Sequence, residues 1–498
     1  MKRHLGPLIT FAVCALVFWP VTNGGFLDVD DGALVLRNPH VNTGLSWENV
    51  KWAFTSSYFA SYHPLTWLSH QVDVSIFGLH PPGHHLSSLL LFALSAALLC
   101  AFWQRAGGDP VSGAVATLLW ALHPLRVEPV AWVAARKDVL SGLFVAVALL
   151  LYLHYSRQRT LGRWLLVTVA VAAAMLSKVT AVVLPALLFL ADVWPLKTME
   201  GLRARLIEKA PWVLISVWCA YRTYQAHLEA EALPPLAVGE RISNVLSSYG
   251  LSLLHTVYPS QLSYLYPRGA PSGLAVAAAA VALIALLAAA FVLRRRQPSI
   301  SFGILWFLVA LLPSAGWVPF GGALTADRFS HVAAMGLAGG LVFALPSGVS
   351  RRTSGLLVAG MAAVLLAMVA SDLFEETTWR DSKSIFDQAL ERDPDNAMAL
   401  HSLALLQTQT GELDDGLLTF QKLLTLTPND GFVLSNYARA LLRKGDLPGA
   451  LDAATRGYQR RPNDPLVRDA LIQTLIAAGK CPDPSGCGDV LRQISSGE

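Results

Sequence analysis

Up to residue 371 the chain is built largely of apolar segments that no water-soluble domain could bury. They lie at 5–22, 84–103, 111–124, 138–155, 164–177, 179–194, 210–226, 273–293, 300–318, 329–346 and 354–371. Inside a bilayer every backbone polar group must find its partner within the protein, so such segments fold as helices. About twenty apolar residues span the hydrocarbon, and the shorter segments require tilted or broken helices. The expected fold class is all-α, with a polytopic membrane domain of about eleven spans over 1–373. Hydrophobic residues make up 54% of the 498 and charged residues 14%, and mean hydropathy is +0.46, which excludes an ordinary soluble enzyme. Membrane lipid is the expected surrounding, and nothing points to a nucleic-acid partner.

Basic residues set the expected orientation. Lys2 and Arg3, Arg105, then Arg157, Arg159 and Arg163 fall on alternate loops, followed by Lys197, Arg203, Arg205 and Lys209, by Arg294, Arg295 and Arg296, and by Arg351 and Arg352. Cytoplasmic loops carry such cations, so the N-terminus is expected inside and the C-terminal tail outside. This parity requires the moderately apolar stretch 242–258 to be re-entrant or interfacial. The first apolar run lacks a small-x-small cleavage site after it and reads as a retained span. Ala- and Leu-rich spans fit a bacterial inner membrane. Cys14, Cys100 and Cys219 lie within membrane segments and need only pack. Cys481 and Cys487, in CPDPSGC, are expected to form a small-loop disulfide in the outward tail.

After Ser371 the composition changes, and the boundary is drawn at 373/374. Pro394, Pro428 and Pro462 recur at a spacing of 34 residues, as do Gly411, Gly445 and Gly479. This is the tetratricopeptide period, with Gly at the turn between paired helices and Pro ending the second helix. Residues 374–498 are therefore expected to form an extracytoplasmic helical solenoid whose concave face offers a groove for a polypeptide. A purely structural cap is the plainer alternative.

The outward loops on this topology are 23–83, 125–137, 227–272 and 319–328. The first opens with GGFLDVDDG, whose Asp28, Asp30 and Asp31 precede Arg37 and His40, and then carries an interfacial helix with Trp47, Val50 and Phe54 on one face. The second, HPLRVEPVAWVAARKD, brings Arg126, Glu128, Arg136, Lys137 and Asp138 against an apolar wall. Charge at that depth marks a functional site by default. Plainer readings exist. Asp30 and Asp31 could be turn or cap residues, and Arg136, Lys137 and Lys178 could reach toward lipid headgroups. The histidines of HPPGHH, with His63 and His70, invite a metal reading. However, no ligand spacing or carboxylate partner accompanies them, so no metal ligand is assigned and a divalent cation is left open as the sole cofactor.

Carboxylates, cations beside a membrane wall and a peptide-binding module on one side are the parts needed to move a sugar from a lipid phosphate to a protein hydroxyl. An ionised Asp can take the proton of an attacking Ser or Thr, and cations can hold the departing phosphate. No Walker A, Rossmann, HExxH or GxSxG pattern competes. Transfer to a lipid or envelope glycan, and a non-catalytic repeat scaffold for envelope proteins, are the alternatives. Few ionisable residues lie inside the spans, which disfavours a transporter.

DDGALVLRNP, YHPLTWLSH, HPLRVEPVAWVAARKDVLSGLF, SKVTAVVLPALLFLAD and TADRFSHVAAMG, in this order and followed by the repeats, resemble the transmembrane-and-tetratricopeptide-repeat O-mannosyltransferases. More broadly they resemble the protein O-mannosyltransferase branch of the GT-C glycosyltransferases. The resemblance implies an inverting enzyme that takes its sugar from a polyprenyl- or dolichyl-phosphate carrier, with an acid of the first outward loop as base. It makes Asp30 that base and has Asp31 orient it or the acceptor. It also places Arg136 and Asp138 at the family's Arg-x-Asp and Lys178 near the carrier phosphate. The donor and substrate groups expected are Arg126, Glu128, Arg136, Lys137, Asp138, Lys178, Asp327, Arg328 and His63. The chain departs from the family where His63 replaces an Arg before Pro-Leu, Val179 an acid after the Lys, and Phe329-Ser330 a Tyr-Leu pair.

Overall fold

The computed structural model describes residues 4–198, 201–230, 237–267, 272–317, 323–345 and 351–496. Lys2 and Arg3 lie outside them. The chain divides into two compact units, Met1–Asp381 and Ser382–Glu498. The first unit extends past the change in composition because its last helix, Arg351–Thr378, carries on through it.

Among the described residues each of the eleven apolar segments lies mostly in helix in the first unit. Among the described residues four stretches are long and apolar enough to cross a membrane: Pro81–Ala106, Val133–Arg157, Gly273–Leu293 and Gly355–Thr378. Leu5–Val17, Pro110–Ala121, Leu161–Ser177, Val179–Val193 and Pro298–Ser314 are apolar but shorter. The segment 179–194 is broken, as its length requires, into a 3-10 turn at Val179–Val183 and a helix at Leu184–Val193 with Pro185 in its first turn. Residues 242–257 lie in helix Val238–Val257, whose buried side carries Asn244, Ser247, Ser248, Ser252 and His255 together with Val245 and Tyr249.

Pro81–Ala106 and Val133–Arg157 form the protein-enclosed core, with 61% and 67% of their apolar windows buried, against 11% for Gly273–Leu293 and 6% for Gly355–Thr378. The latter two leave leucines, valines and phenylalanines on their surfaces, as lipid contact demands. Close packing in the core depends on small residues. A Cβ on Gly339 would stand 2.2 Å from the Trp103 ring, and one on Gly340 would stand 2.5 Å from the Ser299 carbonyl. Lys209, expected among the loop cations, is instead buried in helix Leu202–Glu229. Its ammonium lies 2.6 Å from Asp192 Oδ2 and 2.7 Å from the Tyr152 hydroxyl. Tyr266–Pro267 pairs antiparallel with Ala323–Thr325, and this two-stranded ribbon sets Tyr266 next to Asp327.

In the second unit the period becomes paired helices: Ser382–Arg392, Ala397–Thr410, Leu413–Leu426, Gly431–Lys444, Leu447–Arg460, Pro465–Ala477 and Gly488–Ser496. Gly411 and Gly445 adopt left-handed φ values of +97° and +85° at helix ends, a conformation open to glycine at little cost. A second 34-residue series, unnoticed among the turn residues, supplies the N-caps. Asn396, Asp430 and Asp464 each accept backbone N–H bonds from the first turn that follows. The core runs from Leu400 and Phe420 through Ala438, Ala454 and Leu471 to Cys487. Cys481 and Cys487 are bonded, with Cα atoms 5.2 Å apart. Asp430→Ala should destabilise this unit by about 1 kcal/mol. Hydrogen exchange should show it as faster exchange in Gly431–Lys444, with no such change in Asp452→Ala, whose carboxylate is exposed.

Candidate functional site

The first loop leaves helix Leu5–Val17, passes Gly24 and Gly25, and tightens into a π-type turn at Gly32–Leu36. Such turns cluster at functional sites. A Cβ on Gly32 would stand 2.9 Å from the Arg37 guanidinium, whose flexible side chain packs over it. Asp30 and Asp31 open this turn, and the structure separates their roles. Asp31 is wholly buried; its Oδ2 accepts from Leu27 N and its Oδ1 from Ala134 N, each at 2.8 Å. One carboxylate therefore closes its own loop and staples it to the turn that precedes Arg136, Lys137 and Asp138. Burial, with a smaller push from the adjacent Asp30, raises the Asp31 carboxyl to about 7 against the pull of the two backbone donors.

The staple brings Asp30 to a half-buried position within electrostatic reach of Lys137 and Arg328. Among the described residues none hydrogen-bonds to the Asp30 carboxylate. The surrounding charges are committed. Arg328 donates to Glu128 twice, from its backbone N to Oε2 at 2.7 Å and from its guanidinium to Oε1. Burial pushes the Glu128 carboxyl up, and the guanidinium it faces pulls it back down. Lys178 donates to Asp138, and its ammonium sits 5.3 Å over the Phe329 ring. Lys137 is half-buried, within reach of Asp30, Arg328, Asp138 and Glu128, and none of the described residues forms an ion pair with it. A narrow cavity beside it is lined by Asp138, Ser141, Lys178, Arg328 and His331. His63 completes the group. It is buried against Trp67 with ring centroids 4.5 Å apart, and burial plus the charges of Lys137 and Lys178 hold it well below the ordinary histidine range. It therefore stands neutral.

Three of the expected residues turn elsewhere. The Arg136 guanidinium points away from this group, to Asp73 Oδ2 at 2.7 Å, Ser88 Oγ at 2.7 Å and the His84 carbonyl at 2.6 Å. Arg126 donates to Ser330, and burial lowers it to about 9. Asp327 accepts from the Tyr266 hydroxyl at 3.0 Å and lies 3.2 Å from His255 Nδ1. Asp73, His84, Tyr266 and His255 were missed as partners because each lies far in sequence from the charge it serves. An acid inside YHPLTWLSHQVD, three residues after His70, was the one signal available.

A family model described as Tetratricopeptide repeat matches residues 370–431. The chain is similar to protein O-mannosyl-transferase TMTC2 of Mus musculus, 36% identical over 99 residues, which is 20% of this chain and 12% of that protein. It is also similar to tmtc2 of Xenopus laevis, 32% identical over 158 residues, 30% of this chain and 19% of that protein. A third relative is Tmtc1 of Drosophila melanogaster, 27% identical over 189 residues, 36% of this chain and 22% of that protein. The matched stretches thus span between 12% and 22% of these relatives' length. No solved structure matches the chain.

The staple makes a prediction. The folded chain holds the Asp31 proton up to about pH 7, whereas an unfolded Asp releases it near 4. Asp31's contribution to stability is therefore complete below pH 4 and falls as pH rises to 7. Thermal unfolding scanned from pH 4 to 7 should show that decline in the wild type and a flatter profile in Asp31→Asn.

Proposed function

We propose that the membrane unit transfers a sugar, mannose by likeness to its relatives, from a polyprenyl- or dolichyl-phosphate carrier to Ser and Thr hydroxyls of proteins outside the cytoplasm. The observation that carries this reading is the unengaged Asp30 carboxylate held close to the unpaired Lys137 while neighbouring charges are paired. The acceptor hydroxyl oxygen attacks the anomeric carbon as Asp30 takes its proton. The bond from that carbon to the phosphate oxygen breaks, and the carrier phosphate departs with the electron pair. Lys137 meets the charge that grows there, with Arg328 and Lys178 behind it. Attack opposite the leaving group inverts the anomeric centre. The repeat unit presents the polypeptide, and the site opens on the face away from the N-terminus, in a bacterial inner membrane. The names of the relatives support a mannosyl transfer to protein.

Asp30→Asn should lower transfer by about 10²- to 10⁴-fold, read as loss of a hexose-sized increment from intact glycoprotein mass, with normal membrane insertion. Asp28→Asn should leave the increment in place. Retention of every glycan by Asp30→Asn sinks the assignment of the base. Lys137→Met should slow transfer by about 10²- to 10³-fold. Deleting 382–498 should abolish modification of protein acceptors. If lipid acceptors are modified in its place, the groove selects polypeptides; if protein acceptors are still modified, the groove has no part in selection.

A further inference from the structure

Helix Pro64–Phe77 places His70 and Asp73 three residues apart on one face. Helix Pro81–Ala106 then brings His84 to them from across the intervening turn. One possible ligand atom from each lies within 4.8 Å of the others, and all three side chains are buried. Asp73 stands three residues after His70 in the sequence, and folding adds His84 from the next helix.

The hydrogen bonds around the cluster leave it incomplete. His84 Nε2 stands 2.9 Å from the Gly78 carbonyl, which can only accept, so Nε2 carries the hydrogen and Nδ1 a lone pair. That lone pair faces Asp73 Oδ2 across 3.7 Å, so two acceptors oppose each other in a dry interior. Neither ring nitrogen of His70 has a hydrogen-bond partner, although the residue is 1% exposed. With both nitrogens unpartnered, a neutral His70 ring turns a free lone pair toward the cluster. Leaving two buried imidazoles unsatisfied is costly, and a cation held between them and the Asp73 carboxylate answers both. The outer contacts are those of a held ligand set: Asp73 Oδ1 accepts from Ser87 at 2.7 Å, and the Gly78 carbonyl fixes the His84 tautomer.

We propose that His70, Asp73 and His84 bind one divalent transition-metal ion of the zinc class. Two imidazoles and a carboxylate are the donor set such ions take, with a position left for water. Metal–ligand bonds of about 2.0–2.2 Å place ligand atoms roughly 3–4 Å apart, so the side chains must draw in by about an ångström. The Arg136 guanidinium, 2.7 Å from Asp73 Oδ2, opposes a second positive charge and weakens the site relative to one without it. Phe26 lies edge-on to His84 with centroids 5.2 Å apart. The ion therefore sits under the first loop and behind the turn that carries Lys137, and it braces both. Its role is structural.

The test reads metal directly, so its outcome does not depend on any sugar transfer. Full-length protein purified in detergent is stripped with a chelator and titrated with Co²⁺, followed by its visible d–d absorption, and zinc content is measured on unstripped samples. The expected result is one ion per chain in the wild type, with affinity lower by about tenfold or more in His84→Ala and His70→Ala, and a chelator-induced drop in thermal midpoint in the wild type alone. His70→Phe guards against misfolding, because it fills the same space and removes no hydrogen bond. It should fold, lose the metal and become insensitive to chelator. Only trace binding in the wild type overturns the proposal, as does a His70→Phe variant with undiminished metal. The cluster is then an Arg136–Asp73 ion pair packed against two histidines.

Discussion

Charge buried in a medium that cannot solvate it must be neutralised nearby, and this constraint organises the whole membrane unit. Glu128 meets Arg328, Asp138 meets Lys178, Asp73 meets Arg136, and Asp192 meets Lys209. Each pair joins segments distant in sequence, so each also decides which helix can sit beside which. Such pairs are weak sources of stability, because desolvation offsets their attraction, but removing one partner strands the other. Their value here is register. The loop holding residues 126–138 can dock only where helix Pro64–Phe77, the chain after Ser177 and the residues near 328 all present the matching charge.

Asp31 does the same work with backbone partners. By accepting from both Leu27 and Ala134 it fixes the distance between the first loop and the Arg136–Asp138 turn without using a cation. That economy leaves Lys137 unpaired and Asp30 without a hydrogen bond, side by side. Two adjacent aspartates thus have opposite fates: one is consumed by structure, and the other is kept open. The proposed ion at His70, Asp73 and His84 would reinforce the same joint from beneath.

The fold was largely legible because its main signals are local. Apolar runs specify helices wherever the backbone has no water to bond, and a 34-residue period specifies stacked helix pairs. How many of the eleven segments cross fully was less legible, because several helices, such as Pro110–Ala121, are short and are covered by neighbouring chain as well as lipid. Lys209 was misplaced for a related reason. Counting cations by loop assumes they face water, and this one found Asp192 instead. At the site, the outward-loop reading and the family resemblance singled out Asp30, Lys137, Asp138, Lys178 and Arg328, which lie near one another in the structure. It could not show that Arg136, one residue from Lys137, points the other way. On a helix neighbouring residues face about 100° apart, and which of them meets a partner depends on tertiary contacts such as Asp73.

The pairing also bears on what chemistry the proposed site could run. A double displacement needs two carboxylates at the reacting carbon, one as nucleophile and one as acid and base. Around Lys137 the other acids are engaged: Asp31 by two backbone N–H groups, Glu128 by Arg328 and Asp138 by Lys178. Freeing any of them as a nucleophile would strand a buried cation or break the joint that positions the loop. Among these acids only the Asp30 carboxylate has no hydrogen bond from the described residues, and one such group suffices for a single displacement in which a base removes a proton and cations receive the leaving phosphate.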